Sequence, residues 1–241
     1  MSVSGVSGGI FRRLLDFLYP PVCPFCGKIS REGICAGCRK KIVYVKEPRC
    51  MRCGKPLRDE TLEYCRDCAS HNSFITRGYG LWLHREPVSG AVYRFKYRNK
   101  RNFGRIFAAE LAEHYAGQIR AWEIEEIVPI PLHLSRKRKR GFNQSEVVAK
   151  ELSVLLGIPC RTDILFRIRK TLPQKHLDRT GRAGNLCGAF GVSRGWQACE
   201  NVLLIDDIYT TGATVGRAAK MLKKAGARNI YFLTISIGQG I

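Results

Sequence analysis

No stretch of this 241-residue chain approaches the roughly 18 to 20 consecutive apolar residues that a membrane-spanning helix needs. The start also lacks an apolar core followed by a small-residue cleavage site, so a cytoplasmic protein is expected. Acidic side chains are scarce: 20 Asp and Glu stand against 41 Lys and Arg, a net charge of +21. That imbalance exceeds what solubility requires and points to a polyanionic partner, nucleic acid first and an anionic membrane surface second. Two nucleotide-binding patterns are missing as well, since neither G-x-x-x-x-G-K-[ST] nor a strand-to-helix G-x-G-x-x-G occurs. A hydrophobic content of 45% is ordinary for a globular core and argues against disorder.

Cysteine, by contrast, is abundant and patterned. Eight of the 11 cysteines form four C-x-x-C pairs: Cys23/Cys26, Cys35/Cys38, Cys50/Cys53 and Cys65/Cys68. Two thiolates two residues apart on a tight turn can face one ion, and two such knuckles complete the tetrahedral four-sulfur shell of zinc. A disulfide framework belongs to exported chains, and the clustered C-x-x-C-x-x-C run of one ferredoxin class is absent, so structural zinc is preferred over both. Pairing neighbouring knuckles closes the shorter loops, which favours two sequential sites over an interleaved pair. So small a module cannot bury enough apolar surface unaided, so metal binding and folding are expected to coincide. Cys160, Cys187 and Cys199 stand apart and read as small core residues.

Three segments result. Residues 1–22 carry Ile10, Phe11, Leu14, Leu15, Phe17 and Leu18 on one face of a short amphipathic helix with Arg12 and Arg13. That face either packs on the neighbouring module or touches the inner face of a membrane. Residues 23–72 form the cysteine module. From 73 to 241, strand patterns at 77–84, 124–132, 158–169, 201–205 and 229–236 alternate with helical ones, and Asn143 and Glu146 read as a capping box. Such alternation predicts an α/β domain with a parallel sheet and helices on both faces, whose ligands bind beyond the C-terminal strand ends.

Three loops at those ends carry the chemistry. Residues 135–141 hold five consecutive cations, Arg136, Lys137, Arg138, Lys139 and Arg140, suited to pyrophosphate or nucleic acid. Residues 171–190 form a long polar loop of the kind that closes over an anionic ligand, with Lys175, Arg179 and Arg182 as its charges. In the third, VLLIDDIYTTGATV, an apolar strand ends in Asp206 and Asp207 and turns through Thr210, Thr211, Gly212, Ala213 and Thr214 into a helix. Hydroxyls and amides at a helix start cradle a phosphate. The two acids would be repelled by it and call for sugar hydroxyls or a magnesium ion instead, so the stretch describes a site for a phosphorylated ribose.

That stretch resembles the phosphoribosyl-pyrophosphate (PRPP) signature of type I phosphoribosyltransferases. The chain from Cys23 onward, with Phe95-Lys96-Tyr97, Pro129-Ile130-Pro131-Leu132-His133 and Arg140-Gly141-Phe142-Asn143-Gln144-Ser145, resembles the ComF family, associated with competence for natural transformation. The resemblance implies a zinc-ribbon module on a type I phosphoribosyltransferase-like α/β fold, acting on incoming single-stranded DNA, with a DNA-uptake helicase or inner-membrane DNA channel as partner. It further implies Mg2+-PRPP with its 5′-phosphate on Thr210 to Thr214, its ribose near Asp206 and Asp207, and its pyrophosphate held by Arg138, Arg140 and Lys175, with Arg179 beside them. Ile208-Tyr209 departs from the smaller residues common in that signature. Independently, Arg94, Lys96, Arg98, Lys100, Arg101 and Arg105 alternate with Tyr93, Phe95, Tyr97 and Phe103, an interleaving suited to single-stranded DNA, unless the rings are simply the apolar face of a helix. An active phosphoribosyltransferase of unknown acceptor, a PRPP sensor without catalysis, and a zinc-organised adaptor are the rival readings.

Overall fold

A computed structural model describes residues 20–70, 73–168 and 189–239. In chain order its elements are α1 (Ala36–Arg39), α2 (Arg66–Ala69), β1 (Arg77–Leu83), α3 (Val88–Tyr97), α4 (Phe103–Ala121), β2 (Glu126–Pro129), α5 (Leu134–Arg140) and α6 (Gln144–Leu156). They are followed by β3 (Leu165–Arg167), β4 (Phe190–Val192), β5 (Asn201–Tyr209), α7 (Ala213–Lys224) and β6 (Asn229–Ile237). No helix among the described residues is long and apolar enough to cross a membrane.

The apolar run of β5 sets the architecture. Val202, Leu203, Leu204 and Ile205 are all 0% exposed, as a strand covered on both faces requires. β5 lies between β6 and β2, β6 pairs with β1, and every one of these pairings is parallel. Successive residues of β5 face opposite layers. Leu203 and Ile205 pack with α3, α4 and α6 residues such as Phe95, Phe107 and Leu152, whereas Val202 and Leu204 pack with Val215, Ala218, Ala219 and Leu222 of α7 and with Phe190 of the β3–β4 hairpin. The chain is therefore α/β, with a parallel sheet and helices on both faces, preceded by the cysteine-rich region.

Several elements differ from their sequence patterns for local reasons. β5 continues to Tyr209, so the two acids lie on the strand itself. Residues 135–141, read as a loop, belong mostly to the short helix α5, whose N-terminal His133 accepts from the Ser135 amide and whose end is set by Gly141 at φ 79°. Asn143 does stand at the start of α6, but it forms no capping box. Its amide donates to Ile130 O at 3.0 Å, and Glu146 pairs with Lys137 and Lys150 instead. Among its described residues, the extended pattern at 158–169 contains only β3 and a single parallel bridge from Cys160 to Ile127.

The cysteine region is built onto the sheet. Residues 43–45 run antiparallel along the outer edge of β1, where Val45 N donates to Leu81 O at 3.1 Å and Leu83 N donates to Val43 O at 2.9 Å. The first knuckle pair falls on the layer of α3 and α4, where Cys23, Phe25, Ile34 and Cys38 share a core with Trp82 and Phe107. The second falls on the opposite layer with α7. Trp82, 0% exposed, meets Phe25 at 5.4 Å, Tyr44 at 6.1 Å and Phe107 at 5.7 Å between ring centroids, joining the cysteine region to α4 through one side chain. Trp82→Ala is expected to cost about 3 to 5 kcal/mol. Urea unfolding should show one cooperative transition at lower denaturant, followed alike by signals from both regions.

Candidate functional site

The acid pair sits where β5 leaves the core. Asp206 Oδ1 accepts from Ser145 Oγ at 3.1 Å, at the start of α6, and from the Asp207 amide at 2.9 Å. Asp207 Oδ1 is 2.8 Å from Lys96 Nζ of α3, a pair largely withdrawn from solvent. Burial first, and then the neighbouring charge of Asp207, push the Asp206 carboxyl up to about 7. His84, just past β1, bonds Ser236 Oγ through Nδ1 at 2.9 Å, and burial together with the charge of Lys96 lowers its pKa. The C-terminal ends of β1, β5 and β6 thus gather the titratable groups His84, Lys96, Asp206 and Asp207 with the hydroxyls of Ser145 and Ser236.

The threonine turn follows at once. Gly212 adopts φ 77° at the N-terminus of α7, a conformation that side chains other than glycine's rarely take. A Cβ there would also lie 2.3 Å from Tyr209 Oη, so glycine is required twice over. A small hollow opens between Ile208 and Val215. Thr211 Oγ1 is buried with no hydrogen-bond partner among the described residues, and so are Thr234 Oγ1, beside Asp206 in the sheet register, and Gln144 Nε2 next to Ser145. Buried polar atoms rarely go unpaired, and these three lie around one strand end.

Cations approach from the third side. Arg140 donates to Gln144 Oε1 at 3.0 Å and to Tyr97 Oη at 3.1 Å, and its guanidinium lies 4.9 Å from the centre of the Tyr97 ring. Arg136 is half-buried, and burial and the charge of Arg140 lower its pKa, while Arg138 is exposed. Arg167 of β3 lies over the Phe190 ring, and burial brings its pKa down to about 10, with Arg136 adding repulsion and Asp206 attraction. Lys175, Arg179 and Arg182 of the long loop lie outside the described residues, as do Cys187 and the 10–18 amphipathic stretch.

The basic and aromatic set around α3 divides. Lys96 turns inward to Asp207, and Arg94 donates to Pro24 O and Phe25 O at 2.7 and 3.0 Å, fastening α3 to the first knuckle. Arg101 donates to Gly141 O at 2.8 Å. Phe95 and Phe103 are 0% and 2% exposed and pack on Phe107, so these two rings belong to the core. Tyr93 and Tyr97 remain outside, their rings 4.9 Å apart, beside exposed Arg98, Lys100 and Arg105.

The cysteines gather sequentially into Cys23, Cys26, Cys35 and Cys38, and Cys50, Cys53, Cys65 and Cys68, each set with its sulfurs within 4.8 Å of one another. Sγ–Sγ distances of 3.7 Å for Cys26–Cys35 and 3.6 Å for Cys53–Cys65 rule out disulfides. They approach the edge of about 3.8 Å of a tetrahedron built on Zn–S bonds of about 2.3 Å. Both sets fit a structural zinc ion, closed on all four positions.

A double zinc ribbon domain model matches residues 14–69. Competence protein F of Haemophilus influenzae is 31% identical over 207 residues, covering 84% of this chain and 89% of that protein. The chain belongs to the ComF family. Competence protein ComFC of Bacillus subtilis is 26% identical, covering 85% of this chain and 84% of that one. DNA utilization protein YhgH of Salmonella typhimurium is 29% identical, covering 88% and 94%. Among solved structures, adenine phosphoribosyltransferase from Saccharomyces cerevisiae covers 60% of the chain and 82% of its own at 15% identity, with a TM-score of 0.37.

Within this ComF-family chain, the sequence pattern located the acids, the turn and the cysteines, but missed the groups that hold them. His84 and Arg167 carry no local signal, because each reaches the site from a strand remote in sequence. Lys96 was visible as one cation in a basic run and within the Phe95-Lys96-Tyr97 stretch of the family resemblance, but not as the partner of Asp207.

The raised Asp206 pKa has a definite sign. Its folded value of about 7 lies above the unfolded 3.8, so the stability it confers is complete below about pH 4 and is lost as the pH rises through 7. Asp206→Asn, which preserves shape and the accepted hydrogen bonds, should therefore melt higher than the parent at pH 8, by on the order of 1 to 3 kcal/mol. The gap should close as the pH falls from 7 to 4. Calorimetric scans across that range test it, and a pH-independent gap would contradict the buried-charge account.

Proposed function

We propose that this ComF-family chain is a DNA-uptake protein that binds Mg2+-PRPP at the end of β5 and single-stranded DNA on the adjoining face of α3. The observation that carries the ligand reading is the half-buried acid pair set against a threonine turn whose Thr211 hydroxyl has no partner among the described residues. In this reading the 5′-phosphate rests on the Thr210 to Thr214 amides and hydroxyls at the start of α7. Asp206 and Asp207 face the ribose hydroxyls, with Lys96 and Ser145 fixing their orientation. Arg136, Arg140 and Arg167 line the side toward the pyrophosphate. Magnesium, when bound, would neutralise part of the pyrophosphate charge.

The same arrangement favours transfer of the phosphoribosyl group. As pyrophosphate leaves C1 of the sugar, negative charge grows on the departing oxygens and positive charge on the sugar ring. Fixed arginines then stabilise the first and the half-buried carboxylates the second, without reorganising water. The acceptor is not set by these residues.

The DNA reading rests on exposed Tyr93 and Tyr97, whose tilted rings lie 4.9 Å apart, followed in the chain by the exposed cations Arg98 and Lys100, on a chain of net charge +21. Rings for bases and cations for phosphates make a sequence-tolerant strand site. The names of the competence and DNA utilization relatives agree with it. A cytoplasmic location, with a DNA-uptake helicase or membrane DNA channel as partner, belongs to this reading.

Two measurements test the halves separately. In titration calorimetry, Asp206→Asn with Asp207→Asn should weaken magnesium-dependent PRPP binding at least about tenfold, since hydrogen bonds to charged groups contribute roughly 1.5 to 3 kcal/mol each. Equal affinity in the double variant would remove the site from the acids. Binding of a fluorescent oligonucleotide should weaken with salt at about −0.7 log units per phosphate neutralised, and Arg98→Ala with Lys100→Ala should flatten that slope by about 1.4. An unaltered slope would move the strand to another surface.

A further inference from the structure

Tyr209 joins two places that the sequence keeps far apart. It closes β5, is 4% exposed, and stacks on Phe232 with ring centroids 4.6 Å apart and planes 8° from parallel. It shares one apolar cluster with Cys50, Cys53, Cys65 and Cys68, and Lys55 Nζ stands 5.9 Å from its ring centre. Lys55 is only 4% exposed and is held by Asp67 at 2.7 Å, so it belongs to the frame of the second knuckle pair. That frame is pressed hard onto the sheet: a Cβ on Gly54 would come 2.6 Å from Gly78 O of β1. At its other end the Tyr209 phenol lies directly against the threonine turn, where a Cβ on Gly212 would come 2.3 Å from Oη and 2.8 Å from Cζ.

A rigid ring wedged between a four-sulfur site and a helix start has little freedom to move alone. We propose that Tyr209 is a positioning residue, a strut through which metal held by Cys50, Cys53, Cys65 and Cys68 fixes the Thr210 to Thr214 turn in the shape that grips a phosphoryl group. The departure from a small residue at this position of the signature thus acquires a purpose. With no ion, four thiolates cannot stay within 4.8 Å of one another without strong repulsion or protonation. The knuckles then part, Lys55 and Asp67 lose their frame, and the ring no longer supports Gly212. The first cysteine site lies on the opposite layer of the sheet, outside this cluster, and does not take part. The ligand half of the proposal rests on the phosphate reading above, whereas the mechanical link does not.

The full chain is examined as purified, with zinc counted by elemental analysis, amide exchange followed at 210–215, and affinity measured for ribose 5-phosphate. Tyr209→Leu should keep both zinc ions yet speed exchange in the turn and weaken ribose 5-phosphate about tenfold, within the usual range of couplings between sites. Tyr209→Phe, which keeps the stacked ring, should retain most of the affinity. Cys65→Ser should lose one zinc ion and reproduce the Tyr209→Leu effects, whereas Cys35→Ser should lose one and leave the turn unchanged. The strut is overturned if Tyr209→Leu leaves exchange at 210–215 unaltered, or if Cys35→Ser loosens the turn as much as Cys65→Ser. Should Cys65→Ser fail to fold, the Tyr209 pair still decides. If exchange responds as expected but the parent protein does not bind ribose 5-phosphate, the strut stands and the phosphate reading falls.

Discussion

Two adjacent carboxylates on a strand buried from both sides pose the central constraint, because a desolvated charge persists only with partners around it. Much of the local architecture meets that demand. Lys96 is brought in from α3 and Ser145 from the start of α6, and Arg167 approaches from the hairpin on the other layer. These groups hold the acids without satisfying the whole neighbourhood. Thr211, Thr234 and Gln144 keep buried polar atoms unpaired among the described residues, as do Arg77, Trp82 and Asn143.

The cysteine region supports this site. Residues 43–45 cover the outer edge of β1, which would otherwise offer unpaired backbone groups to another chain. By crossing that edge, the chain delivers one four-sulfur set to each face of the sheet. Arg94 ties the first set to α3, the helix that carries Lys96. The second set lies under Tyr209 and the threonine turn. Metal sites of this kind supply rigidity where a small apolar core cannot.

Charge distribution gives the molecule two uses for its cations. Some are consumed in construction, as Arg94 and Arg101 show by donating to backbone carbonyls. Others, such as Arg98 and Lys100, remain in solvent beside Tyr93 and Tyr97. A count of basic residues therefore overstates the surface available to a polyanion, and only the folded chain separates the two groups.

The sequence by itself determined the parallel α/β arrangement, the four knuckles and the acid and threonine stretch, because each is written in a short-range pattern: a continuous apolar strand, a C-x-x-C spacing, a glycine where φ must be positive. Phe95 and Phe103 show the limit of such patterns, since alternation with arginine suggested stacking platforms while helix geometry turned both rings into the core. Only the tertiary structure decided that Lys96 serves Asp207, that His84 and Arg167 border the site, and that the two cysteine sets lie on opposite layers. Those facts depend on contacts between residues dozens of positions apart, such as Lys96 with Asp207 or Lys55 with Tyr209, and it is sheet order and helix packing that bring such residues together.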